Sequence, residues 1–308
     1  MPIFFVIVAV FAGGANSISF LGLHGPYLGQ KPPGDQAEVF APGIISMEEE
    51  VELNAVFSRD GKEFYFTRLV AGQPPRTVIM VSQETSNGWS KPWEASFSGE
   101  YNDIDMALSP NNEFLYFCSK RPLPGQIHPT NRWHIWCVSR TAQGWSEPRT
   151  VIVSDGQFLQ GLHPSQALNG KLFFQSNLDG GFGGSDLWWI KPLGSTFSQP
   201  KNVGARVNSR FGEGDLCVDQ AERFIIFVAY NRPDSFGEGD LYLSRRDRQG
   251  NWGMPLNLGP KVNTAKGESS PMMTPDGQYL FFGRFDPSTT KDAIYWISTD
   301  FLKPLIGE

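Results

Sequence analysis

The chain of 308 residues has no run of Lys or Arg, only four histidines and three cysteines, and no stretch where apolar residues keep a helical period over twelve or more positions. Each scarcity removes a class of function. Without clustered cations there is no surface for neutralising nucleic-acid phosphates, and the net charge of −6 acts in the same direction. Nor is there a polybasic patch for an anionic membrane. No HExxH or comparable spacing joins the histidines, and neither a Gly-x-Ser-x-Gly elbow nor a Cys placed beside a His is present. Zinc-protease chemistry and Ser or Cys hydrolase chemistry therefore have no motif to rest on. What the chain does have is 33 Gly, 23 Pro, 24 Phe and nine Trp. A chain this rich in turns and aromatics, and without helical periodicity, is expected to be all-β.

Residues 1–15, "MPIFFVIVAVFAGGA", contain about ten apolar residues followed by small ones, which suits a secretory signal cut near Ala15. The run is too short to span a bilayer, and no Lys or Arg precedes it. The expectation is a periplasmic or secreted protein, the alternative a cytoplasmic one with an apolar N-terminal strand. Cys118, Cys137 and Cys217 lack metal-type spacing and read as buried thiols, although Cys118 and Cys137 fall on adjacent strands where a bridge is geometrically allowed.

The chain repeats itself. "FSRDGKEFYF", "LSPNNEFLYF", "QALNGKLFF", "VDQAERFIIF" and "MTPDGQYLFF" share one template ending at Phe66, Phe117, Phe174, Phe227 and Phe282, at spacings of 51, 57, 53 and 55. Each reads as a strand, a turn, and a second strand apolar on both faces. "TVIMVS", "WHIWCVS", "DLWWIK", "DLYLSR" and "DAIYWIS" supply a third strand. An aromatic then precedes a proline by three, and segments such as "KNVGARVN" and "LNLGPKVN" form a fourth, outer strand. Four antiparallel strands repeated five times predict a five-bladed β-propeller over residues 37–308, with 16–36 as an N-terminal extension. The last unit is cut short after Pro304, so residues 37–46, "AEVFAPGIIS", are expected to complete blade five.

In "TPDGQYLFF" followed by "DAIYW", and "ALNGKLFF" followed by "DLWW", the chain resembles the TolB-type, WD40-like propeller repeat family over residues 48–305. That resemblance implies the propeller fold and a role as an interaction platform, without fixing a ligand.

Counting back fourteen residues from each template phenylalanine reaches Glu52, Asp103, Gln160 (Gly161 after correcting a shorter turn), Glu213 and Glu268. Two positions on lie Asn54, Asp105, His163, Asp215 and Ser270. Strand alternation predicts that both rings point into one channel mouth. There, converging carboxylates can hold Ca²⁺ or bind sugar hydroxyls, or serve as the acid and base of a glycosidase through Asp103, Asp105, Glu213 and Glu268. Equally, they can accept from loop amides and from Arg68, Arg121, Arg232 and Arg284, which follow the second strands. His163 reads as a rim or structural histidine. Asp186, Asp240 and Asp292 precede third strands and are expected to fix turns, while Trp133 and Trp136 offer a ring for sugar stacking.

"FGEGDL" occurs at 211–216 and again at 236–241. By register the first copy leads into the innermost strand of blade four. The second bridges that blade's second and third strands and matches "FGGSDL" at 182–187. Both open on one face, which predicts a rim patch of Glu213, Asp215, Glu238 and Asp240. The functional expectation is a non-catalytic platform binding a protein or glycan at the channel-mouth face and its loops 119–132 and 177–186, with a glycoside hydrolase as the alternative.

Overall fold

A computed structural model describes residues 22–289 and 291–307; the apolar N-terminal segment lies outside the described residues. The chain forms a five-bladed β-propeller of antiparallel sheets. The inner strands are Glu52–Phe57, Asp103–Leu108, Leu162–Gln166, Gly212–Val218 and Gly267–Met273. The template phenylalanines lie on the second strands, Glu63–Val70, Phe114–Ser119, Leu172–Ser176, Phe224–Tyr230 and Tyr279–Asp286.

The middle of each second strand is apolar on both faces because it is sandwiched between blades. Phe64 and Phe66 pack toward blade five with Phe281 and Trp296, whereas Tyr65 between them packs toward blade two with Phe117 and Trp136. Phe173 similarly faces blade four and Phe174 blade two. Five apolar clusters thus fill the five inter-blade spaces.

Closure comes from both ends of the chain. Glu38–Val39 pairs with the third strand of blade five in the register Glu38↔Trp296 and Val39↔Tyr295, and Phe40 N donates to Ile294 O at 2.8 Å. Only two residues of the 37–46 segment form strand; Phe40, Ala41, Ile44 and Ile45 are instead buried in the space between blades five and one. Leu28 joins them, with Leu23 and Tyr27 packed against the same cluster, so this part of the 16–36 segment is anchored to the propeller. The other outer strands are also two residues long, such as Lys201–Asn202 and Leu256–Asn257. In blades three and four a buried asparagine extends them. Asn208 clasps both backbone groups of Leu187 at 2.9 Å, and Asn263 those of Leu241 at 2.8 and 2.9 Å.

The first glycine of "FGGSDL" and of the second "FGEGDL" has one geometric cause. A Cβ on Gly183 would overlap the carbonyl oxygens of Phe211 and Ser209, and one on Gly237 those of Lys266 and Thr264. Each loop between second and third strands therefore lies against the entry loop of the next blade. Gly237→Ala is expected to lower unfolding free energy by about 1–3 kcal/mol, as overpacking does. Gly267→Ala, whose Cβ would meet nothing within 4 Å, should stay within about 0.5 kcal/mol of wild type. Urea unfolding distinguishes the two.

Candidate functional site

The first ring of acids is turned into the protein, not into an open mouth. Glu52, Asp103 and Glu213 are 0% exposed and Glu268 1%. Each meets the arginine of its own blade: Glu52 with Arg68 at 3.1 Å, Asp103 with Arg121 at 2.9 Å, Glu213 with Arg232 at 3.1 Å and Glu268 with Arg284 at 2.8 Å. Every one of these arginines also donates to the loop entering that blade, at Ile45 O, Phe97 O, Val207 O and Val262 O, over 2.7–3.2 Å.

The same entry loops fill the remaining carboxylate lone pairs. Ser209 N reaches Glu213 at 2.9 Å, Thr264 N reaches Glu268 at 3.0 Å and Ser98 Oγ reaches Asp103 at 2.8 Å. Each acid–arginine pair is thus a clip holding two strands and the incoming loop. Burial pushes all four acids up, Glu52 to about 7, while the arginines oppose that shift. Blade three lacks the clip because it has no room for one. A Cβ on Gly161 would press on the Phe174 ring and Gln175 O, and Gly161 N instead donates to Trp133 O.

The second ring behaves differently because alternation breaks between the rings. In all five inner strands the pairing register shifts at this point. Asp105, His163, Asp215 and Ser270 take φ of 56°, 48°, 39° and 49°. Such bulges re-aim side chains, and non-glycine residues there cost about 1–3 kcal/mol each. They converge on the propeller axis. His163 Nε2 lies 2.7 Å from Asp215 Oδ1 and 3.2 Å from Asp105 Oδ2. Ser270 N donates to Asp215 Oδ2 at 3.0 Å. With its amide nitrogen turned to Thr67 Oγ1 (2.6 Å), Asn54 accepts from Asp105 N at 3.2 Å.

Desolvation opposes a charge on His163, but the Asp105 and Asp215 carboxylates outweigh it and carry its pKa up to about 9. The two acids then divide. Burial raises Asp105, with only partial compensation from His163, to about 7. Asp215, although equally buried, is held below the usual carboxylate range by the closer histidine and the Ser270 amide. Asn54, Asp105, His163 and Ser270 also line a cavity of about 480 Å³ that extends to the turns joining first and second strands, with Lys303 of the C-terminal helix Lys303–Ile306 among its lining residues.

Asp186 and Asp240 hold turns as expected, whereas the rim patch does not form. Asp240 is 0% exposed and accepts from Phe236 N, Gly237 N and Asn257 Nδ2 over 2.7–3.0 Å. Asp186 does the same with Phe182 N, Gly183 N and Asn202 Nδ2. Of the four acids expected in one patch, Glu213 and Asp240 are buried and Asp215 is held at the axis, so only Glu238 is exposed. Asp292 fixes no turn. Blade five pairs Arg284 with Ala293 where blade four pairs Ala229 with Asp240, so Asp292 stands one residue out of register and its buried Oδ1 has no hydrogen-bond partner among the described residues. Burial, reinforced by the Asp215 charge, raises Asp292 to about 7. Trp136 is core, and Trp133 is half-buried beneath the Lys120 ammonium. Cys118, Cys137 and Cys217 are free thiols. Among the described residues no three His, Cys, Asp or Glu side chains are grouped to hold a metal.

One feature of this face carries no sequence motif. Each blade exposes one large apolar residue near this end of its second strand: Leu69 (39%) and Phe285 (36%) on the last residues of the strand itself, and Ile127 (84%), Phe182 (49%) and Phe236 (48%) on the connection to the third strand. The only hint in the sequence was the phenylalanine that opens both "FGGSDL" and the second "FGEGDL".

No protein-family model and no curated protein matches the sequence. Among solved structures the chain is similar to an α-L-arabinofuranosidase from Lactobacillus brevis, with 11% identity over 82% of this chain and 92% of that one, at a TM-score of 0.52. A GH43 protein from Bacillus licheniformis follows with 12% identity over 86% and 57%, TM-score 0.50. TolB from Acinetobacter baumannii gives 11% over 80% of this chain, which spans about half (54%) of TolB, TM-score 0.48. The likeness is one of fold. At such identity the β-propeller is shared, and no residue role is transferred.

Two outcomes follow from the charges. Arg284→Met leaves Glu268 buried without its cation, so chemical denaturation should show a loss of about 3–5 kcal/mol. For His163, a folded pKa near 9 stands above the ordinary 6.5. Its stabilisation is therefore complete below about pH 6.5 and disappears as pH rises through 9. The gap in melting temperature between wild type and His163→Gln should be widest below pH 6.5 and narrow toward pH 9.5.

Proposed function

We propose that this protein is a non-catalytic propeller platform of the TolB type that binds a protein or glycan through the face carrying the connections between second and third strands. The observation that supports this is the crown of five exposed apolar residues, one per blade, on a face whose mouth acids are neutralised by arginines. A partner seated across this face would take all five out of water, which favours association. A protein partner is favoured over a glycan, because the carboxylates that would grip sugar hydroxyls face inward. The glycoside hydrolase reading is not favoured: Asp103, Glu213 and Glu268 have their oxygens filled by Arg and loop donors. An exported, periplasmic or secreted location fits the apolar N-terminal segment, and among the described residues no helix is long and apolar enough to cross a membrane.

The test is a triple variant, Ile127→Ser, Phe182→Ser and Phe236→Ser. Its melting temperature should stay close to wild type, since exposed substitutions change stability little. A partner crosslinked and captured by wild type should be retained at least tenfold less. Equal retention contradicts the proposal, as does turnover on a glycan panel that Glu268→Gln abolishes.

A further inference from the structure

Next to the axial cavity, with which it shares Arg59, Pro110, Gln166 and Leu168, a second cleft of about 830 Å³ runs between blades two and three. Its size falls within the range of about 300–1,000 Å³ found for small-molecule sites. Phe114, Tyr116, Val151, Ile152 and Phe197 supply apolar walls. Its only charged lining residues, among those described, are Arg59 and Arg149, and no Asp or Glu contributes. Both arginines are exposed, and neither has a carboxylate partner among the described residues; Arg59 donates to Pro110 O at 3.4 Å and Arg149 to Ser139 Oγ at 2.9 Å.

The strand register sets up a polar row within this apolar surface. Tyr116 pairs with Cys137, and Cys137 pairs with Arg149. Directly opposed residues on neighbouring strands project to the same face about 4.5–5.5 Å apart. Tyr116, Cys137 and Arg149 therefore line up across the sheet on the side facing blade three. The Tyr116 hydroxyl accepts from Gln166 Nε2 at 3.1 Å, and its own proton has no acceptor among the described hydrogen bonds. Tyr116 is only 4% exposed overall and lines the cleft. An unfilled hydroxyl donor and an uncompensated guanidinium on one row of an apolar cleft match an anionic oxygen group attached to an apolar body.

We propose that the cleft between blades two and three binds a small amphiphilic monocarboxylate. Its carboxylate lies at the Tyr116–Arg149 row and its hydrocarbon body against Phe114, Val151 and Phe197. The site is separate from the partner-binding face, and its test does not depend on that reading.

The probe is laurate, used below its micelle concentration with the full chain and followed by isothermal titration calorimetry. Expected is saturable 1:1 binding that raises the melting temperature. Arg149→Gln should weaken it at least tenfold, Tyr116→Phe about three- to tenfold, and Arg149→Lys, which keeps the charge, less than Arg149→Gln. Dodecyltrimethylammonium, with the same tail and opposite charge, should not compete. Absence of saturable laurate binding overturns the proposal. So does an affinity unchanged in Arg149→Gln, or equal binding of the cationic detergent.

Discussion

The architecture depends on a buried carboxylate–guanidinium pair repeated in four blades. Taking two charges out of water costs several kcal/mol per ion, which an isolated pair does not recover. Here each pair is completed by entry-loop groups on both partners, so the charges are hydrogen-bonded and not merely adjacent. The clip fixes the inner strand, the second strand and the arriving loop at one point. That placement is what allows inter-blade faces such as Phe173 against Phe227, or Tyr65 against Phe117, to meet in register. It also neutralises the mouth, which leaves the connections between second and third strands as the chemically distinctive part of that face.

Blade three is the exception, and its departures fit together. Gly161 admits no side chain, so the clip is absent, while His163 two positions further on supplies the cation of the axial cluster. Asp105 and Asp215 arrive from the flanking blades at bulges with left-handed backbone. Without His163 two buried carboxylates would face each other across the axis. The strain in four inner strands is thus tied to a single charged contact at the centre.

Much of the fold was legible because the template phenylalanines carry both periodicity and burial: a strand apolar on both faces at a spacing of 51–57 residues has few explanations besides stacked blades. The positions of Glu52, Asp103, Glu213 and Glu268 followed from the same count. Their direction did not, since strand alternation says nothing of a bulge, and one extra residue re-aimed Asp105, His163 and Asp215 to the axis while the first ring turned to its arginines. Asp292 misled for a related reason, being shifted by one residue in a shorter hairpin. The exposed crown was hidden because a lone Leu, Ile or Phe at a strand end or in a loop looks like any other until topology places five of them on one face. The repeated hexapeptide resolves into two constraints: Glu213 of the first copy is a clip acid, whereas Gly237 and Asp240 of the second seat a loop on the next blade.

The most direct measurement is a double-mutant cycle on Glu213→Leu and Arg232→Met, read by equilibrium urea unfolding. If the clip organises the fold, each single variant strands a buried charge and loses about 3–5 kcal/mol, whereas the double variant is more stable than either. Losses that simply add would show that the two residues act independently, and would contradict the clip as the constraint on which the structure rests.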